Sequence, residues 1–349
     1  MGNNLDNINK TNYFTPNKSL SYYLHYLKLG LRLYRGFFLN TLGLKYPLIS
    51  GHKLTYNCNL RCSMCPFWQR SYKDTSLEEE KRVIKALYDA GVCLIAFEGG
   101  EPLLREDLPE ILEYSKALGL STSIITNGVL LDRKIDSIAP YIDGSIYVSL
   151  DGIGVTHDKI RGAKGCYNKA LDGIRSCAGK AFVTINTTIM KENIGEVPDL
   201  VKLAKELKVG ISLALVYNYE GVSIEQLSSR EISKVAYTLI KMKKQGYPIV
   251  HSVDYLRVMG GVQAWECKPW LVANVDPEGK IIQPCYCLSN YKSSTNISDV
   301  YINSLWRRYD WSNYKECNRC TLHCYVEPSL IQSFNLGTYR NWGRVIKKI

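Results

Sequence analysis

The sequence predicts an α/β fold: a partial barrel of six βα units followed by a small cysteine-rich region. Three observations predict it. Short β-rich runs alternate with helical stretches from residue 52 to residue 217. Nine of the twelve cysteines fall in two groups, Cys58 to Cys65 and Cys267 to Cys324, while Cys93, Cys166 and Cys177 are scattered. A chain of 349 residues, 46% hydrophobic and 22% charged, suffices for one large buried core with an appendage.

Residues 1–45 read as a basic N-terminal segment. Leu20, Tyr23, Leu24, Leu27, Leu31, Tyr34 and Phe38 recur at helical spacing, and His25, Lys28, Arg32 and Arg35 form a second stripe. The charges interrupt the apolar run too often for a transmembrane span, whereas tyrosines beside basic residues suit the interfacial plane of a bilayer. The plainer alternative is a helix packed on the body, weakened by Gly30 and Gly36. The formal charge of +11 suits an anionic membrane surface or RNA, and does not choose between them.

Residues 46–245 carry the barrel. Strands are expected at 52–57, 92–98, 121–126, 144–150, 181–189 and 211–217, with helices near 76–90, 106–118, 132–139, 165–178 and 196–208. Ser76 and Glu79 open one helix as a capping box, and Gly119 closes another. A further helix is expected at 223–244. Residues 246–327, rich in cysteine, lack the βα rhythm, and the basic tail 328–349 is expected to be poorly ordered. The polar first dozen residues do not resemble a signal peptide, so reduced thiols and a cytosolic setting are expected, with peripheral contact to the cytoplasmic membrane face.

In parallel barrels ligands bind where the strands end, and the motifs fall there. After the first strand stand Cys58, Cys62 and Cys65, spaced x3 and x2. Three thiolates on one loop can hold three irons of a [4Fe–4S] cube and leave the fourth open to chelate the amino and carboxylate groups of S-adenosylmethionine. Structural zinc would call for four ligands in paired spacing, and a ferredoxin-type electron carrier for a C-x2-C-x2-C run with a remote fourth cysteine. After the second strand come Gly99, Gly100, Glu101 and Pro102, whose carbonyl and carboxylate groups can accept hydrogen bonds from an ammonium. The fourth strand ends in Ser149 and Asp151, with oxygens for ribose hydroxyls or the ammonium group; a helix-capping role is the rival reading of Asp151. His157 and Arg161 follow, and the guanidinium suits a carboxylate, with a surface salt bridge as its plainer alternative. Thr126, Asn127, Asn186 and Thr188 point polar groups at the same rim.

With these motifs the chain resembles the radical S-adenosylmethionine superfamily across residues 50–220. The resemblance implies a TIM-like partial (β/α)6 barrel with the cofactor across its strand ends. It implies that Cys58, Cys62 and Cys65 hold the cluster, that Gly99 to Pro102 bind the methionine moiety, and that Ser149 contacts the ribose. It also implies a flavodoxin- or ferredoxin-type electron donor, and it assigns no catalytic side chain beyond the cluster ligands. One departure is Met64, where members often place an aromatic residue near the adenine; Phe67 or Trp68 could supply that contact.

In the C-terminal group, Cys317-x2-Cys320-x3-Cys324 is metal-ligand spacing, and Cys267 and Cys285 can close the site from a hairpin turning at Pro277 and Gly279. An auxiliary [4Fe–4S] cluster is the reading, zinc the competitor, and Cys287 is left out of the ligand set. This half resembles the auxiliary-cluster domains called SPASM or twitch, and is similar to the C-terminal region of enzymes that form adenosylhopene in hopanoid synthesis. That resemblance implies addition of a deoxyadenosyl radical to an alkene of a membrane isoprenoid. The leading expectation is therefore an enzyme acting on an apolar lipid or small molecule at a membrane surface. Peptide maturation and, outside enzymes, an iron–sulfur electron carrier are the alternatives; no added RNA-binding module supports a nucleic-acid partner.

Overall fold

Six parallel strands run in sequence order, each followed by a helix that returns to the start of the next. They are β1 (Ile49–Thr55), β2 (Leu94–Gly99), β3 (Ser121–Thr126), β4 (Ile146–Ser149), β5 (Val183–Ile189) and β6 (Gly210–Leu215). The computed structural model describes residues 20–70, 73–219, 221–289, 295–296, 306, 309–311, 317 and 320–333. Residues 1–19 of the expected N-terminal segment and residues 334–349 of the expected tail lie outside the described residues. Every neighbouring pair from β1 to β6 is parallel, in the order β6-β5-β4-β3-β2-β1. The sheet is an unclosed barrel, as the alternation of elements predicts.

Before the sheet stands α1 (Leu20–Thr41), and outside it lie α2 (Leu77–Ala90), α3 (Leu108–Leu118), α4 (Leu131–Ile138), α5 (Val155–Arg161), α6 (Cys166–Ser176) and α7 (Val197–Glu206). Their ends follow local chemistry. Ser76 accepts a hydrogen bond from the Glu79 amide at the start of α2, and Gly119 ends α3 in the left-handed region at φ +95°. The helices bury aliphatic stripes against the outward sides of the strands, so Ile84, Leu87, Phe97, Ile111, Ile124 and Val148 are fully enclosed. A buried ionic contact adds to them. Glu80 of α2 receives His52 of β1 at 2.7 Å and Arg105 at 2.9 Å, and Arg105 also donates to the Leu54 carbonyl. This fixes the segment after β2 against the end of β1.

Three helices have no counterpart in the sequence reading: α5, α9 (Val253–Met259) and α10 (His323–Gln332). Two have seven residues and one spans ten, too short for a clear apolar period. The expected helix 223–244 starts later, as α8 (Ser229–Lys244), because Ser228 and Glu231 form a complete capping box there. α10 also occupies the first residues of the expected disordered tail.

The cysteine-rich region is not separate from the sheet. β7 (Asn274–Val275) pairs in parallel with β1 through Val275 and His52, and β8 (Lys280–Ile282) returns antiparallel to it. β9 (Thr295–Asn296) completes nine strands among the described residues. The turn comes where Pro277 and Gly279 placed it. Asp276 accepts the amides of Glu278 and Lys280, and Gly279 sits at φ +71°. None of the described helices is long and apolar enough to cross a membrane.

Candidate functional site

The first cysteine loop leaves β1 and is held against the C-terminal end of α5. The Arg61 and Ser63 amides donate to the carbonyls of Arg161 and Ile160 at 3.3 and 2.9 Å. Gly162 makes this approach possible: it lies at φ +71°, and a Cβ there would stand 2.4 Å from the Arg61 oxygen. Within the loop the Leu60 amide donates to Cys58 Sγ, and Arg161 Nη1 reaches Cys62 Sγ at 3.7 Å. Burial pushes the Cys58 thiol up to about 11, with Cys62, Glu101 and Cys65 adding to it. Burial likewise raises Cys62, opposed by the nearby Arg161. The three thiols thus lie within electrostatic reach of one another, although among the described residues no three His, Cys, Asp or Glu side chains stand converged as a metal cage.

Gly99 and Gly100 fold over this loop. Neither admits a side chain: Gly99 lies at φ +147° and a Cβ on it would meet the Thr55 oxygen at 2.2 Å, while crowding alone excludes one on Gly100, 2.2 Å from the Asn57 oxygen. The Gly100 and Glu101 amides donate to those same two carbonyls. Glu101 departs from expectation. Its carboxylate is fully buried and accepts Thr126 Oγ1 at 2.7 Å, the Asn127 amide at 2.7 Å and the Leu103 amide at 3.1 Å. Burial raises its pKa, and these donors counter the rise. Glu101 therefore ties β2 to β3, and Pro102 continues into a buried 3-10 turn. Asn127 is also engaged, donating to Asn59 of the cysteine loop at 2.7 Å.

Ser149, at the end of β4, is buried and stands beside Asn186 of β5 in the parallel register. Asp151 is not a helix cap; Gly154 occupies that position of α5. Its Oδ2 instead pairs with Arg161 Nη2 at 2.5 Å, while Oδ1 accepts the Thr188 amide. Burial opposes the Arg161 charge, yet Asp151 and Cys62 outweigh it and raise the guanidinium pKa. The pair is interior rather than a surface salt bridge. His157 Nδ1 accepts the Asp151 amide, and burial together with Arg161 pushes its pKa down to about 3, so the ring is neutral. Met64 is buried with Leu60, Ile160 and Met190, while Phe67 stacks on Tyr56 at 5.4 Å.

The second cysteine group also gathers. Cys267 feels the charges of Cys320, Cys317, Cys285 and Cys324. Cys287, left out of the expected ligand set, stands among them. Its thiol hydrogen-bonds Cys285, holding that thiol down at about 7, and also lowers Cys320. The single residue, Tyr286, that separates it from Cys285 gave no spacing signal. Between the two cysteine groups lies a charged cluster that the sequence reading missed. Glu98 Oε1 receives Lys53 Nζ at 2.8 Å and Tyr286 Oη at 2.6 Å, and Lys53 lies over the Phe67 and Tyr286 rings. Burial works against ionisation, but Lys53 and Tyr286 hold the Glu98 carboxyl below its usual range. Lys53 and Glu98 are partners in the β1–β2 register, a pairing invisible without it.

These donor sets fit the two groups that the motifs imply. A buried thiol, Cys62, crowded by the half-buried Cys58 and Cys65, favours binding to a cationic cluster over ionising alone. Arg161 Nε is buried without a hydrogen-bond partner, a donor left over for a carboxylate, and the two glycines leave backbone at the strand ends within reach of a ligand.

Residues 53–204 match the family described as the radical SAM superfamily, and residues 211–342 a domain of unknown function, DUF3463. The chain is 36% identical over 209 residues to the Fe-coproporphyrin III synthase of Methanosarcina barkeri, covering 56% of this chain and 52% of that protein. It is 26% identical to the PqqA peptide cyclase of Rhizobium meliloti, over 74% of this chain and 73% of that one. The chain thus spans about half the length of the first of these relatives. Its fold is that of Streptococcus suis SuiB bound to precursor peptide SuiA, with a TM-score of 0.65 at 17% identity, covering 87% of this chain and 74% of that one. With their cysteine loop, glycine turn and unclosed barrel, residues 53–204 form a radical S-adenosylmethionine domain, the domain of a superfamily of enzymes that use a [4Fe–4S] cluster and S-adenosylmethionine.

Proposed function

We propose that this chain directs a 5′-deoxyadenosyl radical onto an apolar, isoprenoid-type lipid drawn from a membrane surface. When bound, the cluster and S-adenosylmethionine supply a one-electron cleavage of the C5′–S bond. The electron comes from a flavodoxin- or ferredoxin-type donor. The chain's own residues hold and orient. Cys58, Cys62 and Cys65 would hold the cluster; Arg161 Nε would receive the methionine carboxylate; the backbone of Gly99 and Gly100 would accept from its ammonium; and Ser149 with Asn186 would meet the ribose. Asp151, Glu101 and Asn127 position these groups. Cys267, Cys285, Cys317, Cys320 and Cys324, with Cys287 among them, would hold an auxiliary cluster. Residues 46–245 and 246–327 act as one unit, because β7 joins β1.

One observation carries the apolar substrate. A row of rings spans the space between the two cysteine groups: Tyr56 on Phe67 at 5.4 Å, Phe67 against Tyr219 at 5.4 Å, Tyr219 against Tyr217 at 5.1 Å, and Tyr217 Oη to the Cys287 carbonyl at 3.4 Å. Such a wall offers large apolar area for a hydrocarbon and excludes water from a radical. Peptide modification is the second reading. It is supported by the likeness to the PqqA peptide cyclase and to the fold of peptide-bound SuiB, and by the Lys53–Glu98–Tyr286 cluster, whose polar groups can pair with amides.

Profiling of a gene-deletion strain separates them. Loss of a compound from the lipid fraction, restored by the intact gene, is expected; loss confined to peptides would install the second reading. Absence of reductant-dependent 5′-deoxyadenosine from the anaerobically reconstituted protein, with both fractions supplied, would sink both.

A further inference from the structure

α1 crosses the N-terminal rim of the barrel strand by strand. His25 pairs with Asp143, just ahead of β4, at 3.1 Å. Two turns on, Arg32 stacks over Tyr88 and donates to the Tyr88 and Val92 carbonyls ahead of β2. Gly36 then lies against Leu48 ahead of β1, and Asn40 bridges to Tyr46. With Leu29 buried as well, this face fixes the helix to the barrel.

The opposite face is unpartnered among the described residues. Tyr23, Leu27, Leu31, Tyr34, Phe38 and Leu42 form a stripe at helical spacing, each between 52% and 71% exposed. The apolar residues that would ordinarily seat an amphipathic helix on its protein thus point away from it. Lys28 and Arg35 flank the stripe in solvent, and α1 contains no acidic residue. Six basic residues and no acidic one lie between residues 7 and 52, so every formal charge from residue 7 through the first half of β1 is positive.

We propose that the outer face of α1 docks on an anionic phospholipid bilayer, base first, leaving the cofactor-binding rim on the aqueous side. Large apolar and tyrosine side chains enter the interface while Lys28 and Arg35 meet the headgroups, the combination that holds a helix in the interfacial plane. Pairing with a second copy fits less well, because it would set Lys28 and Arg35 against their own kind with no acidic residue on either helix to compensate. The inference rests on the membrane part of the function proposed above and adds its face and orientation. β1 has seven residues, roughly 23 Å of strand, so a lipid must be drawn that far from the bilayer to reach the cysteine loop.

Flotation of the full chain with vesicles of equal parts phosphatidylglycerol and phosphatidylcholine tests this. The protein should float with these and at least tenfold less with phosphatidylcholine alone. Leu27→Gln/Leu31→Gln should abolish flotation with the circular dichroism of the parent, and Lys28→Ala and Arg35→Ala should each weaken it about fivefold. A full-length protein that stays at the bottom of the gradient, or either variant set floating like the parent, overturns the proposal. So does a dimer in light scattering that the Leu27→Gln/Leu31→Gln variant dissolves. Flotation needs neither cofactor nor substrate, so its failure would leave the radical reading standing, and failure of S-adenosylmethionine cleavage would leave the docking face standing.

Discussion

Arg161 and Asp151 show how much one pair can decide. Both are interior, at 11% and 0% side-chain exposure, and they join the end of β4 to the first cysteine loop. Removing one partner leaves a buried charge uncompensated. Arg161→Met is expected to cost about 3–5 kcal/mol in chemical denaturation, and Asp151→Asn combined with it should cost less than the sum of the singles. Gly162 is constrained by its backbone. Gly162→Ala must hold a left-handed conformation at roughly 1–2 kcal/mol and also displace the Arg61 carbonyl, so a lower thermal midpoint and less iron bound at the first loop are expected. His157 carries a pH dependence. The fold keeps it neutral down to about 3, whereas an unfolded imidazole takes a proton near 6.5. Unfolding therefore takes up a proton between these values. The contribution is complete above pH 6.5 and is lost on acidification, by up to about 1.4 kcal/mol per pH unit. The denaturation midpoint should fall between pH 7 and pH 5, and His157→Gln should flatten that fall.

At the scale of elements, α1 is a long helix with two interior glycines in different surroundings. Gly36 lies against Leu48 at the rim, whereas a Cβ on Gly30 would meet nothing within 4 Å. Gly30→Ala should stabilise the protein by about 0.5–1 kcal/mol, read from denaturant titration, because it removes backbone freedom from the unfolded chain without a clash. The strands and long helices of the barrel were legible from their periods. The short helices α5, α9 and α10 were not. Each is stabilised by packing: Tyr255 of α9 is fully buried and donates to the Leu213 carbonyl, a contact 42 residues away in sequence.

For the whole molecule, the decisive contact is β7 on β1. The sequence reading divided the chain at residue 245, at the point where the βα rhythm stops, yet the hairpin beyond it covers the edge of β1 and brings Tyr286 to Glu98. A chain ending at residue 245 would expose that edge and strip the cover from Lys53. It is expected to be insoluble or to lack a cooperative transition, whereas the full chain should show a single one; matching melting curves for the two would contradict this.

The sequence by itself determined the parallel sheet, the rim on which the site lies and the cysteines of both groups, because strand and helix periods and ligand spacings are local properties of the chain. It also placed the apolar and basic stripes of α1. The tertiary structure alone decided which way those stripes face, that Glu101 and Asp151 spend their oxygens on neighbouring backbone and Arg161, and that Cys287 stands among the other thiols. It alone paired Lys53 with Glu98 and Tyr286. The physical reason is common to all of these: hydrogen-bond satisfaction and burial depend on residues tens to hundreds of positions away, brought together by register and by the β7–β1 contact, and no local pattern encodes them.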